Sequence, residues 1–255
     1  MIGIIGGTGL SSVLRMGKEE VINTRYGKVK VLIDRKDGVV LLFRHGLNHS
    51  IPPHRINYRA NIYALKILGV ERILSINSVG SLKEHIKPGT FFIPQDFMEF
   101  TKNRISTYYD GEDGKVVHID LSEPYCPEIV DILREILNKR DYQYSEGVYI
   151  CTEGPRFETK SEIRFYRTLG DVVGMTGYPE VVLAKELGLC YASLCTVTNY
   201  AAGISKSKLT VGEVFEIIKK VEKKLVNIVE DFIEYSSSRE KNCQCSMALE
   251  YGTVK

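Results

Sequence analysis

Apolar and polar positions alternate along this chain in short blocks of two kinds. Compact apolar runs at residues 2–6, 39–43, 72–77, 90–93, 147–151, 171–175 and 190–198 predict strands, several apolar enough to be buried on both faces. Amphipathic stretches lie between them. Residues 58–68 carry Ile62, Leu65 and Leu68 and stop at Gly69, which predicts a helix. A second helix is predicted over 179–187, with Pro179 in its first turn and Gly188 just past its end. Thr210 and Glu213 have capping-box spacing for a long final helix reaching about Tyr235. Its stripe of Val214, Ile217, Ile218, Val221, Leu225, Ile228 and Phe232 reads as core packing rather than a cofactor box.

The pattern changes in two places. Arg25-Tyr26-Gly27-Lys28 sits between β-like segments and predicts a hairpin turn. Residues 101–127 are loop-rich, with turn signals at Tyr108-Tyr109-Asp110-Gly111 and Asp113-Gly114. No repeat, linker or composition break divides the chain. The expectation is one α/β domain over residues 1–255, with a mixed central β-sheet flanked by helices.

Composition narrows the class. At 255 residues, 44% hydrophobic and 26% charged, the chain is an ordinary globule with a full core. Thirty-four basic against thirty-two acidic residues leave +2, which removes bulk charge as a reason to bind nucleic acid or membrane. No apolar run approaches the ~18 residues of a membrane span. Met1 leads straight into an apolar run with no basic leader, so a cytoplasmic location is expected. Of six cysteines, Cys126, Cys151, Cys190 and Cys195 lie in or beside apolar runs and read as small core residues. Cys243-Gln244-Cys245 lies in a polar tail. Paired Cys-x-x-Cys spacing is absent, so no structural metal is expected.

Candidate chemistry gathers at the strand ends, where open α/β sheets place ligands. Gly6-Gly7-Thr8-Gly9-Leu10 follows the first strand and is compatible with an anion cradle or a plain turn. A dinucleotide fingerprint fails there, because Ser12 occupies the place of the last glycine; Asp34 is the one acid at suitable distance. Arg44-His45-Gly46 ends another strand, and arginine offers a planar fork for phosphate or a salt bridge. His45, His49 and His54 are interrupted by Pro52-Pro53, which argues against a metal triad. Ser75 to Ser81, with Asn77 and Ser78, supplies small polar groups at a third strand end. Gly174-Met175-Thr176-Gly177 leads into the helix at Pro179, whose N-terminus would favour an anion. Asn199 closes a long apolar strand with an amide suited to a purine edge, and Glu158 follows Glu153-Gly154-Pro155-Arg156-Phe157.

Taken in this order and spacing, these segments resemble the trimeric branch of the purine nucleoside and methylthioadenosine phosphorylase family, over nearly the whole chain. The run from Pro179 to Ser193 and Glu153-Gly154-Pro155-Arg156-Phe157 look like the methylthioadenosine subfamily. The resemblance implies phosphorolysis of a nucleoside to free base and pentose 1-phosphate, with phosphate as co-substrate and no cofactor. It places phosphate at Thr8, Arg44, His45, Asn77, Ser78 and Thr176, with Arg44, His45 and Asn199 as the catalytic set. Met175 would lie under the ribose, and Glu158, Asn199, Tyr200 and Ala201 would face the base. His118 lies in a loop that the family lends to a neighbouring subunit, which implies a homo-oligomer, a trimer or dimer of trimers.

The base end departs from the methylthioadenosine pattern, which has two aspartates flanking one residue where this chain has Asn199-Tyr200-Ala201, and a serine at Glu158. An Asn and a Glu there resemble the inosine and guanosine enzymes. Ionised Glu158 can accept from the N1–H of a 6-oxopurine but opposes the bare N1 of adenine. A 6-oxopurine nucleoside phosphorylase is therefore expected; a methylthioadenosine phosphorylase is the alternative, ahead of an oxidoreductase or a non-catalytic nucleoside binder. Val211 stands where inosine phosphorylases have a His for the 5′-hydroxyl, so with Leu209 it implies a 5′-methylthio pocket. Cys243 and Cys245 resemble a tail disulfide of heat-stable relatives, expected here against two free thiols.

Overall fold

The computed structural model describes residues 1–7, 17–46, 48–112, 114–205 and 210–253. Its centre is made of the apolar runs. Strand β1 (Ile2–Gly6) is buried throughout, and the hairpin β2 (Lys18–Thr24) and β3 (Gly27–Asp34) turns at Arg25-Tyr26. Strand β4 (Val39–Phe43) pairs antiparallel with β3 and parallel with β1. Strand β5 (Arg72–Ser81) lies on the other side of β1, also parallel. Then come β6 (Phe91–Phe100), β7 (Tyr144–Thr152), β8 (Val172–Gly174) and β9 (Cys190–Tyr200).

The sheet has nine strands in the order β2-β3-β4-β1-β5-β8-β7-β6-β9, and β9 also pairs with β5. That second pairing closes β5, β8, β7, β6 and β9 into a small barrel, which leaves β5 and β9 no free edge. Helices α1 (Tyr58–Ile67), α2 (Pro127–Lys139), α3 (Lys160–Tyr166), α4 (Glu180–Glu186), α5 (Val211–Ser238) and α6 (Ala248–Gly252) flank it. A single domain with a mixed sheet is what the patterning implied.

Several predicted elements change length. Residues 75–81 are not a strand end: β5 continues through Ser81 because it is paired on both sides. Strand β6 likewise runs to Phe100 along β7. Pro179 is the N-cap of α4 rather than a residue of its first turn. Thr210 does cap α5, accepting from Glu213 N–H at 3.2 Å, and the helix extends to Ser238. The expected stripe is buried at Ile218, Val221, Leu225, Ile228 and Phe232, while Val214 faces a cavity instead. Asp34 accepts from the backbone of Lys36 and Asp37 at the end of a hairpin, which is no setting for a ribose contact.

The tail requires a larger correction. Cys243 and Cys245 are not bonded to each other; all six cysteines are thiols, and the Cys243 sulfur lies 3.2 Å from Cys190. Among the described residues, no helix is long and apolar enough to cross a membrane.

Candidate active site

Because β1, β4, β5 and β9 run parallel, their C-terminal ends open on one side of the sheet. A cavity of about 390 Å³ lies there, in the size range of small-ligand sites. It is lined by Gly7 after β1, Arg44 and His45 after β4, Ser78 to Gly80 of β5, and Gly174 to Thr176 after β8. Thr198, Asn199 and Ala201 come from the end of β9, Glu158 from the β7–α3 connection, and Val211, Val214 and Phe215 from the start of α5. Close approach requires one glycine and favours a second. A Cβ at Gly7 would sit 2.5 Å from the Ile76 carbonyl and 2.9 Å from Arg44, and one at Gly80 would sit 3.0 Å from the Asn199 amide.

Arg44 is only 1% exposed. Its Nε donates to Glu180 at 2.7 Å and its Nη2 to the same carboxylate at 3.1 Å, a bidentate pair with both side chains fully buried. Nη1 donates to the Ile76 carbonyl at 2.8 Å and Nη2 to Ser75 Oγ at 2.6 Å. Burial works against the Arg44 charge, but the adjacent Glu180 carboxylate outweighs it and raises the pKa above the ordinary arginine value. The fork expected for phosphate is thus spent on Glu180, with one N–H left over at the cavity wall. Glu180 also accepts from Tyr191 at 3.0 Å.

The network continues toward the cavity. Ser75 Oγ lies 3.0 Å from both Glu180 and Asn77 Oδ1, and Asn77 Nδ2 donates to Thr176 Oγ1 at 2.9 Å. Asn77 does not line the cavity; it fixes Thr176, whose own O–H stays available to an anion. The backbone N–H groups of Thr176 and Gly177 face the Tyr149 hydroxyl at 3.3 Å each. The start of α4 therefore holds a buried acid, and the group it offers the cavity on this side is the Thr176 hydroxyl.

His45 places Nδ1 2.8 Å from the Ile51 carbonyl, which makes Nδ1 the protonated nitrogen and leaves a lone pair on Nε2. Burial, then the Arg44 charge, lowers its pKa to about 4. At neutral pH it is uncharged. Its Nε2 can accept a hydrogen bond from a phosphate hydroxyl, but it does not supply the positive charge that a phosphate-binding histidine would suggest.

At the other end, Asn199 is 4% exposed and its amide is oriented from both sides. Thr198 Oγ1 donates to Oδ1 at 2.8 Å, and Nδ2 donates to the Tyr200 carbonyl at 3.0 Å, leaving one N–H free. Glu158 accepts from Thr152 at 2.6 Å. Burial raises its pKa above the ordinary glutamate value, opposed by the Thr152 hydroxyl. If Glu158 accepts from N1–H, turnover of a 6-oxopurine nucleoside should fall as pH drops through this raised pKa, because protonation removes the negative charge that strengthens that bond and leaves only a neutral carbonyl oxygen to accept it. Glu158→Gln should erase that acid limb in a kcat/KM profile; an unchanged limb would place its origin elsewhere.

Of the residues singled out by sequence, Arg44, His45, Ser78, Met175, Thr176, Asn199, Ala201, Glu158 and Val211 meet at this cavity. Tyr200 does not line it; its hydroxyl donates to the Glu84 carbonyl at 3.1 Å. His118 is exposed outside the cavity, its backbone N–H bonded to the Gly252 carbonyl at 2.8 Å. Thr8 and Leu209 lie outside the described residues. Sequence reasoning missed Glu180 as the partner of Arg44 and Phe215 as a wall residue. An acid opening the apolar run Val181-Val182-Leu183 was a signal for the first, and an aromatic four positions after Val211 for the second.

Comparison with known proteins identifies the family. Residues 1–234 match the Phosphorylase superfamily. A probable S-methyl-5′-thioinosine phosphorylase of Methanocaldococcus jannaschii is 65% identical, covering 100% of both chains. The 6-oxopurine nucleoside phosphorylase of Pyrococcus furiosus is 47% identical over 99% of this chain and 98% of its own. Among solved structures, a methylthioadenosine phosphorylase from an antarctic soil metagenomic library superposes with TM-score 0.89 at 33% identity, covering 99% of this chain and 92% of that one.

Proposed function

Since the chain belongs to the Phosphorylase superfamily, we propose that it cleaves 6-oxopurine nucleosides with inorganic phosphate, yielding free base and ribose 1-phosphate or its 5-methylthio analogue. The observation that carries this reading is Asn199 and Glu158 together on the wall of one cavity. The free N–H of Asn199 donates toward N7 as negative charge builds on the departing base, and ionised Glu158 accepts from N1–H. Phosphate sits at the opposite end, against Thr176, Ser78, neutral His45 and the spare N–H of Arg44. There it faces the positive charge developing at C1′, in a dissociative displacement driven by positioning and electrostatics. Thr8 belongs to the same proposal. Purine salvage is the corresponding role, and the proposed assembly is a homotrimer or a dimer of trimers to which His118 contributes across an interface. Neither nucleic acid nor membrane is a partner in this reading, and no cofactor is invoked.

The 5′ end of the sugar faces an apolar wall. Val211 and Phe215 are 58% and 46% exposed, and both line the cavity together with Val214 and Met175. None can donate to a 5′-hydroxyl, so 5′-methylthioinosine is the proposed preferred substrate. Burying a methylthio group there contributes ~1–2 kcal/mol, about tenfold in affinity. Val211→His should shift the ratio of kcat/KM values toward inosine by that order, and an unchanged ratio would exclude Val211 as the reader. The proposal as a whole is tested by phosphate-dependent hypoxanthine release from methylthioinosine, measured beside methylthioadenosine.

A further inference from the structure

Four cysteines far apart in sequence meet at the tail. Cys126 stands at the N-cap of α2, Cys190 opens β9, and Cys243 and Cys245 follow the end of α5. Their sulfurs all lie within 4.8 Å of one another. From this we propose that Cys126, Cys190, Cys243 and Cys245 form a tetrathiolate site for one divalent zinc-type ion, remote from the nucleoside cavity.

The geometry fits a tetrahedron. A zinc–thiolate bond of about 2.3 Å implies sulfur–sulfur edges of about 3.8 Å. The observed separations bracket that edge, from 3.2 Å between Cys190 and Cys243 up to the 4.8 Å bound, so shifts of about 1 Å or less close the shell. Sequence spacing pointed away from a metal because only one close pair is visible, as Cys-x-Cys. The fold supplies the other two ligands, with Cys190 lying 53 residues before Cys243. Gln244 is the N-cap of the 3-10 turn Cys245–Met247, and this bend carries both tail sulfurs to the same side.

The charge of the site is met in part by backbone N–H groups, while Arg72 alongside is itself paired with Glu128 at 3.6 Å. Four thiolates around a divalent ion carry a net double negative charge. Cys126 occupies a helix N-cap with no side-chain cap bond, where unpaired backbone N–H groups favour a thiolate. Arg72 is the β5 residue in register with Cys190. Its guanidinium donates to the carbonyls of Ser236, Arg239 and Glu240, which ties down the chain just before the cysteine pair. Residues 239–253 contain only that 3-10 turn and the five-residue α6, too little structure to hold themselves. A metal clip would anchor them to β9 and α2 through all four sulfurs at one centre. A bond between Cys243 and Cys245 would close a tight, strained ring.

Binding replaces four S–H bonds by four metal–sulfur bonds and releases four protons, with no oxidant or reductant involved. The test uses the intact chain, stripped of metal with a chelator under reducing conditions and then titrated with Zn²⁺ and separately with Co²⁺. Expected are one ion per chain and, with cobalt, the visible d–d bands and sulfur-to-metal charge transfer of a tetrahedral thiolate site. C243S/C245S should bind none, whereas C151S should keep full stoichiometry; none of these three cysteines lines the nucleoside cavity. Six thiols on the denatured, unreduced protein in excess chelator are also expected. A count of four or two would replace the metal site by disulfides, and six thiols with no cobalt spectrum on the native chain would overturn it outright.

Discussion

Arg44→Ala should lower folding stability by about 3–5 kcal/mol, the largest loss expected from any single substitution near the cavity. The reason is what it leaves behind. Glu180 is fully buried and its carboxylate takes two of the Arg44 N–H bonds, so truncation strands a negative charge with only Ser75 and Tyr191 as donors. The Ile76 carbonyl loses its Arg44 partner as well. Arg44→Met combined with Glu180→Gln should recover about half of the loss or more, because a neutral amide can still bond Ser75 and Tyr191 while no charge is stranded. Urea unfolding midpoints for parent, single and double variants measure this directly. A single variant as stable as the parent would mean that the pair contributes nothing to the fold. The folded double variant then isolates the remaining N–H: a raised KM for phosphate with an unchanged KM for nucleoside assigns it to the anion, and equal KM values would confine Arg44 to structure.

The second large effect concerns the base. Asn199→Asp together with Glu158→Ser should move preference from 6-oxopurine to 6-aminopurine nucleosides by on the order of a hundredfold, from two polar mismatches of about 1–3 kcal/mol each. In the proposed reading the Glu158 carboxylate of the parent faces N1, which carries a hydrogen in hypoxanthine and a lone pair in adenine. Serine removes that clash. At position 199 the surroundings matter as much as the substrate: one side-chain atom lies against the Thr198 hydroxyl and the other against the Tyr200 carbonyl. An aspartate there meets the carbonyl with oxygen, which favours its protonated form, and its single proton then bonds either that carbonyl or N7, where the amide had an N–H for each. Each single variant should lose methylthioinosine activity while gaining little with methylthioadenosine, since the two contacts read one ring. Measuring kcat/KM for both nucleosides across the four proteins decides it. A parent that cleaves both equally well would refute the role given to Asn199 and Glu158.

Local pattern was enough for part of this molecule. An unbroken apolar run of five residues such as Ile2–Gly6 or Val39–Phe43 is too short for a helix and reads as a buried strand, and those boundaries agree with the structure at both ends. Helix α1 was legible from its apolar spacing and the stop at Gly69, and the cap at Thr210 from its hydroxyl three residues before Glu213. Strand-end chemistry was legible too, because glycine, hydroxyl and amide residues interrupt apolar runs where backbone must approach a ligand. Resemblance to a known family then supplied roles that spacing left open.

What sequence did not determine is pairing across distance. Nothing local distinguishes residues 78–81 as strand; they are extended because β9 pairs along all four and β8 takes the other edge at Gly80 and Ser81. Helix α2 escaped notice although Ile129, Ile132, Leu133 and Ile136 form an apolar face, because it follows a long loop-rich segment without a break in composition. Arg44 read as a phosphate ligand because its type fits one, yet Glu180, 136 residues later, reaches it first. The four cysteines show the same limit. Two read as core and two as a tail disulfide, and only the fold of the tail back onto β9 and α2 brings their sulfurs together. Side-chain chemistry is a property of the residue, but a partner is a property of the fold, since contact between distant segments is set by the closure of the sheet and the packing of helices on it.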